Sequence, residues 1–265
     1  MLETLGRAWR VFGTGLSFAA FGVGGIVLYV VALPVLRLAV RNVARRQRMA
    51  RRLVHWLFIV FVRFMWLLGV LRFDLVHTQR LRRPGQIIVA NHPTLLDVVF
   101  LISLVPDANC IVKASLANNP FTRAAVLMTG YVCNDWGMEL VEECVGSVRS
   151  GSSLIIFPEG TRTSAHTHAR WHRGAANIAL RAGVPLTPVS ISCEPPSLRK
   201  GEPWWQVPPR RMHFTIEVLD DLSIDGKQLA SMGEAIAARG LTARVRELLD
   251  THTLDTDKLE QNIGA

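Results

Sequence analysis

The sequence predicts an α/β domain, a mostly central β-sheet flanked by helices, preceded by an N-terminal membrane-associated helical segment. Three observations predict it. Leu16 to Leu36 is a run of 21 residues without a charge, seven arginines follow between positions 37 and 52, and after Arg83-Pro84-Gly85 short apolar runs alternate with helical stretches. With 265 residues and 49% hydrophobic content the chain can bury one sizeable core, so one domain plus an appendage is the economical organisation.

The first apolar run is long enough to cross a bilayer, since about 20 apolar residues at 1.5 Å each span a hydrocarbon layer of roughly 30 Å. Gly22, Gly24, Gly25 and Pro34 weaken a helix in water but are tolerated in lipid, which favours membrane over a buried core helix. Arg7 and Arg10 precede the run as in a signal peptide, yet no small-residue cleavage site follows, and the run is expected to be a retained anchor that crosses or lies in the bilayer. The second run, Leu53 to Leu71, carries His55 and Arg63 and is too polar for a lipid-exposed span, so it is expected to lie at the interface or re-enter.

A net charge of +9 suits either nucleic acid or an anionic membrane. Arg37, Arg41, Arg45, Arg46, Arg48, Arg51 and Arg52 sit between the two apolar runs, which selects membrane lipids and no nucleic acid. By the positive-inside tendency that cluster faces the cytoplasm, placing the following domain at the cytoplasmic face of the inner (plasma) membrane. The expected boundaries are 1–72 for the anchoring helices, 73–250 for the α/β domain and 251–265 for a polar, frayed tail.

Within the domain, strands are expected at Gln86 to Ala90, Asn109 to Lys113, Ser153 to Phe157, Thr187 to Ser192 and His213 to Leu219. Cys193 to Arg211, rich in Pro and basic residues, reads as a loop; its Trp204-Trp205 pair either rests on lipid headgroups or packs on the domain. Gly226 to Asp250 has an amphipathic helical pattern. Cys110, Cys133, Cys144 and Cys193 have no CxxC spacing and read as free thiols.

Two segments carry chemistry. Ile87 to Ala90 lead into Asn91-His92-Pro93-Thr94-Leu95-Leu96-Asp97, placing a histidine at a strand end and an aspartate in the first turn of a helix. Asp97 there can hold one imidazole nitrogen so that the other acts as a general base. His252 and Asp257 have the same spacing but lie in the polar tail with no strand before them. No serine occupies a GxSxG elbow, so the attacking hydroxyl must come from a substrate. The second segment runs from Ser153 through Phe157-Pro158-Glu159-Gly160-Thr161-Arg162 to Thr163. Arg162 offers a forked donor to a phosphate oxygen, and Glu159 aligns a ligand hydroxyl or holds Arg162. His166, His168 and His172 follow without a paired Cys or carboxylate set and read as a solvated loop, so no metal is expected.

Together the segments resemble the glycerolipid acyltransferase family, typified by lysophosphatidic-acid acyltransferases, whose two defining patterns are NHxxxxD and FPEGTR. The likeness covers roughly residues 53 to 220 and continues through Trp171-His172-Arg173-Gly174-Ala175 into Val184-Pro185-Leu186-Thr187-Pro188-Val189. It implies transfer of an acyl group from acyl-CoA or acyl-carrier protein to lysophosphatidic acid, with no cofactor. His92 and Asp97 would then be the catalytic pair, with Glu159, Gly160, Thr161, Arg162, Lys113 and Arg173 binding substrate. One position departs from the pattern. Gly130-Tyr131-Val132-Cys133-Asn134-Asp135-Trp136 has a tryptophan where the family has an arginine for the glycerol phosphate, which leaves open another lipid acceptor, such as a lyso-aminolipid or a polyene lipid head. A non-catalytic lipid-binding protein, or a hydrolase acting on the same thioester, are the remaining alternatives.

Overall fold

The structure, a computed structural model, describes residues 2–133, 138–163, 171–223 and 233–263. Asn134, Asp135 and Trp136, and likewise His166 and His168, lie outside the described residues. Helix α1 (Leu2–Val27) runs through a single wide turn at Leu28–Ala32 into α2 (Leu33–Ala39). Pro34 explains that turn: it has no N–H to donate and its ring crowds the carbonyl four residues earlier, so the helix loosens there and continues. The stretch Thr4–Ala39 is long and apolar enough to cross a membrane by length and composition.

Helix α3 (Val43–Leu67) is capped by Asn42, whose side chain accepts the Arg45 N–H at 2.9 Å. Its Ala50, Arg51, Val54, Val62 and Met65 are buried, each large apolar member contributing about 1.5–3 kcal/mol. Two expectations change here. Arg51 is withdrawn from the basic cluster: its guanidinium meets Asp107 at 2.5 Å, the Thr129 carbonyl at 3.0 Å and the Ser152 hydroxyl at 3.0 Å. His55 is likewise satisfied, its Nδ1 lying 2.8 Å from the Ile102 carbonyl. Arg51 and His55 thus tie α3 to the domain, while Arg63 and, on the outer side, Trp56, Leu57, Val60, Trp66 and Leu67 stay exposed.

Gly69, at φ +70°, breaks α3 and turns the chain into β1 (Leu71–Val76), a strand absent from the expected set. Its apolar residues run on from α3 with only this turn between, so pattern alone merges them. The other strands are β2 (Ile87–Ala90), β3 (Ala108–Val112), the two-residue β4 (Val132–Cys133), β5 (Ser153–Ile156), β6 (Leu186–Glu194) and β7 (Met212–Val218). All lie within two residues of expectation except β4, which is too short to read. They form one seven-stranded sheet in the order β1-β7-β6-β2-β5-β3-β4, parallel throughout except between β6 and β7.

The alternation of side chains splits the core in two. Ile88, Ala90, Ile155, Val189 and Ile191 face α3, α4 (Asp97–Leu104) and the short α6 (Arg123–Thr129), which follows the one-turn α5 (Ser115–Asn118). Ile87, Val89, Leu154, Ile156 and Leu186 face α7 (Met138–Arg149), α8 (Gly174–Ala182) and α9 (Glu234–Ile263). Covered on both faces, β2 and β5 are wholly buried, as parallel strands must be. The last helix spans Glu234–Ile263, continuing past Asp250, so the polar tail is helical over most of its length; residues 226–232 of the expected helix lie outside the described residues.

The loop after β6 carries the tryptophans against α1. Trp204 lies 6.0 Å from Phe18, centroid to centroid, and Trp205 meets Trp204 edge-on at 5.6 Å. Both keep exposed surface, at 39% and 60%. Removing the buried charge of Arg51 leaves Asp107 without its partner, so Arg51→Ala is expected to lower unfolding stability by about 3 kcal/mol. Thermal or urea melts in detergent measure this, and a loss below about 1 kcal/mol contradicts it.

Candidate active site

Strands β2 and β5 lie side by side, with Val89 opposite Ile156, so their carboxyl ends deliver His92 and Glu159 to one edge of the sheet. Open parallel sheets place their ligands at that edge. Asn91 adds one more rung to the ladder: its side-chain amide donates to the Ile191 carbonyl and accepts from the Ile191 N–H, both at 2.8 Å. A carboxamide here copies a strand residue and continues the β2–β6 pairing beyond Ala90 and Val189. The backbone beneath His92 is fixed by it.

His92 Nδ1–H donates to Asp97 Oδ2 at 2.8 Å. Asp97 opens α4 and is fully buried. The same oxygen accepts the Thr94 N–H at 2.7 Å, and Oδ1 accepts the Thr94 hydroxyl at 2.5 Å. Since a carboxylate only accepts, the proton sits on Nδ1 and the basic lone pair is on Nε2. Among the described residues Nε2 makes no hydrogen bond, and the side chain is 15% exposed. Phe157 stacks on the imidazole at 4.3 Å and 28°.

Burial is the largest influence on Asp97 and pushes its carboxyl above the ordinary range; the hydrogen bond and charge of His92 and the bonds from Thr94 oppose that push. Cys193 on β6 also feels Asp97, and burial raises its thiol pKa well above the usual range.

Glu159 is buried and holds the other side of His92. Its Oε1 accepts the His92 N–H at 3.1 Å, its Oε2 accepts the Thr163 hydroxyl at 2.8 Å, and the Thr163 N–H donates to the His92 carbonyl at 2.7 Å. Glu159 therefore does not hold Arg162, one of the two alternatives the sequence left open; it clamps the backbone of His92. Arg162 instead donates through Nη1 to the Leu198 and Arg199 carbonyls at 3.0 and 3.1 Å. Its Nε and Nη2 make no hydrogen bond among the described residues. Leu198 also accepts the Leu95 N–H at 3.2 Å, so one loop contacts both segments.

Gly160, at φ +64°, lets the turn between Glu159 and Arg162 close beside the exposed His172, whose ring would lie 3.4 Å from any Cβ there. Thr161 is half-buried in that turn. Lys113 follows β3, the strand beside β5, and so stands at the same sheet edge, exposed. Arg173, exposed, precedes α8; neither cation forms an ion pair among the described residues. Asn91, Thr94, Phe157, Thr163 and Leu198 belong to the arrangement without having been singled out from sequence. Asn91 and Phe157 carried a signal as the first residues of the two defining patterns, and Thr94 as the first member of a Thr-x-x-Asp pattern of capping-box form. The N–H groups of Thr94, Leu95 and Leu96 are all engaged, the last by the Thr94 hydroxyl at 3.1 Å, so these three are not free to bind an oxyanion.

Residues 72–192, which contain both segments, match the family described as Acyltransferase. Over that stretch, a little under half of its length, the chain is similar to this family. Among curated relatives, the chloroplastic 1-acyl-sn-glycerol-3-phosphate acyltransferase BAT2 of Brassica napus is 31% identical over 108 residues, 39% of this chain and 31% of that protein. A putative 1-acyl-sn-glycerol-3-phosphate acyltransferase of Caenorhabditis elegans is 32% identical over 114 residues, 40% of each chain. The 1-acyl-sn-glycerol-3-phosphate acyltransferase of Helicobacter pylori is 31% identical over 114 residues, 40% of this chain and 48% of that one. The matched stretch thus spans less than half the length of these relatives. The crystal structure of the 1-acyl-sn-glycerophosphate acyltransferase PlsC from Thermotoga maritima shares the fold, with a TM-score of 0.66 at 21% identity over 94% of this chain and 97% of that one.

The clamp on His92 makes a prediction that separates it from a substrate-aligning role. In Glu159→Gln the amide oxygen still accepts from His92 N–H and the amide NH₂ donates to Thr163, so turnover is expected within about fivefold of wild type, whereas Glu159→Ala loses about 10- to 100-fold. Burial, the largest influence, raises the Glu159 pKa in the fold. A raised carboxyl pKa means that native stability falls as pH climbs from the ordinary carboxylate range through the raised one. The melting temperature of Glu159→Gln relative to wild type should accordingly increase with pH across that window; a constant difference contradicts it.

Proposed function

We propose that this chain is an acyltransferase that moves a fatty acyl group from the thioester of acyl-CoA or acyl-carrier protein to the free hydroxyl of a lysophospholipid, converting lysophosphatidic acid to phosphatidic acid. The observation that carries the proposal is the His92 imidazole, fixed through Nδ1 on a buried carboxylate with its other nitrogen unengaged at the sheet edge. The acceptor hydroxyl gives its proton to Nε2 as its oxygen attacks the thioester carbonyl. The tetrahedral intermediate then collapses, the C–S bond breaks, and the leaving thiolate takes the proton back from His92. Asp97 holds the tautomer and stabilises the imidazolium.

Arg162 is pinned along one edge, so its Nε and Nη2 donors present a fork to the acceptor phosphate. The names of the relatives support lysophosphatidic acid as acceptor. Trp136, in place of the family's arginine, favours a second reading in which the same chemistry acylates a different lipid head.

The same proposal seats the chain on the cytoplasmic face of the inner membrane. α1 exposes Leu5, Trp9, Phe12, Leu16, Val23, Ile26 and Val27, and α3 exposes a further apolar face. Gly13 and Gly25 bring α1 flush against the domain, where added Cβ atoms would meet Val70 at 2.9 Å and the Phe121 carbonyl. Twelve residues of helix, about 18 Å, then lie along the domain surface, an arrangement suited to a helix embedded in the near leaflet.

Transfer from a labelled acyl thioester to a panel of lysolipids tests the activity. His92→Ala is expected to lower turnover by about 10²- to 10⁴-fold with the fold retained, and Arg162→Ala to raise the apparent KM for phosphorylated acceptors most. Undiminished transfer by His92→Ala contradicts the mechanism, and an unchanged acceptor dependence contradicts the role of Arg162. The seating is tested by labelling single cysteines introduced near the start of α1 in sealed vesicles: reagent added on the domain side should reach them, and protection from it contradicts the near-leaflet arrangement.

A further inference from the structure

The hydroxyl of Thr94 takes no part in the steps above, yet the residue is 1% exposed and its hydroxyl makes the shortest contact in the site, 2.5 Å to Asp97 Oδ1. Building on the dyad reading just given, we propose that Thr94 is a positioning residue: its hydroxyl holds one carboxylate oxygen of Asp97 so that the other faces His92 Nδ1. The torsion that carries a carboxylate is broad and nearly two-fold, so a single hydrogen bond to His92 does not fix which oxygen is presented or at what angle. Thr94 supplies two further holds, N–H to Oδ2 and O–H to Oδ1.

The hydroxyl is itself directed. It accepts the Leu96 N–H at 3.1 Å, which leaves its proton for Asp97, and the turn carrying it is tied to the neighbouring loop by Leu95 N–H and the Leu198 carbonyl at 3.2 Å. β-Branching further restricts the Thr94 side chain. The titratable groups around Asp97 are His92 from the end of β2, Glu159 from the turn after β5 and Cys193 of β6; of these only His92 hydrogen-bonds to it. Among the described residues Thr94 is therefore the sole side-chain donor other than His92 to this fully buried carboxylate. Without its hydroxyl the ionised carboxylate is less stabilised, the pair holds its proton more tightly, and the acid limb of the pH–rate profile moves to higher pH.

The test uses the full chain in mixed micelles, with Thr94→Val, Thr94→Ser, Asp97→Asn and the Thr94→Val/Asp97→Asn double variant. Thr94→Val is expected to lower kcat at least about tenfold with acceptor KM within about twofold, and to raise the acid limb of kcat/KM by about half a pH unit or more. Thr94→Ser, which keeps the hydroxyl, should stay within about threefold of wild type; Thr94→Ala replaces Thr94→Val should the latter fold poorly. In the Asp97→Asn background, loss of the hydroxyl should add less than about twofold, because its effect runs through the carboxylate. An impaired Asp97→Asn enzyme alongside a fully active Thr94→Val, or an equal loss in both backgrounds, overturns the assignment of Thr94 alone. A fully active Asp97→Asn enzyme overturns the dyad reading and this inference with it.

Discussion

The burial of one carboxylate organises this molecule. Asp97 has no solvent exposure, and a buried charge persists only where hydrogen bonds and an opposite charge offset its desolvation. Three donors from His92 and Thr94 meet that requirement. To deliver them, β2 must end at Ala90, α4 must begin at Asp97, and the turn between must be compact. Asn91 stitches the strand end to β6, and Glu159 with Thr163 braces His92 from β5.

The sheet makes that geometry rigid by being covered on both faces. Alternate residues of β2 and β5 enter opposite cores, so a shift of one strand would move apolar side chains out of both. α3 belongs to one of these layers and is tied down by Arg51, which converts a helix with a membrane-like outer face into part of the domain. α1 is joined through close glycine contacts, the Phe21 ring against Phe58 and Phe61, the Trp9 hydrogen bond to the Leu68 carbonyl and the Trp204 loop. The same loop reaches Arg162 and the Asp97 turn through the Leu198 carbonyl, so the apolar segment and the site share one connecting element.

Much of this was legible in the sequence because it rests on local pattern. β2, β5 and β6 are short apolar runs bounded by turn residues, and a histidine followed five positions later by an aspartate places both at a strand-to-helix junction. β1 was not legible, because Leu71 follows the apolar end of α3 with only Gly69 between. Arg51 was read with its exposed neighbours, since nothing local distinguishes the one arginine that finds Asp107, 56 residues on. The role of Glu159 was likewise hidden: besides a hydroxyl four residues away, its partner is the backbone N–H of His92, just past the end of β2, which only the sheet order brings beside it. Arg162 looked like a free phosphate donor until the loop from Leu198 to Arg199 was seen to occupy one edge of it.

The central claim is that His92 activates a hydroxyl of the substrate directly, with no protein nucleophile between donor and acceptor. Its unengaged nitrogen hydrogen-bonds to no serine, threonine or cysteine among the described residues, and the Cys193 thiol, which feels Asp97, is kept protonated by burial. Intact-protein mass spectrometry after rapid mixing with an acyl thioester, without and then with a lysolipid, tests this most directly. The account predicts an unmodified protein mass in both cases and acylated lipid only in the second. A protein carrying one acyl group before the lysolipid is added, and losing it to the lysolipid afterwards, would contradict it.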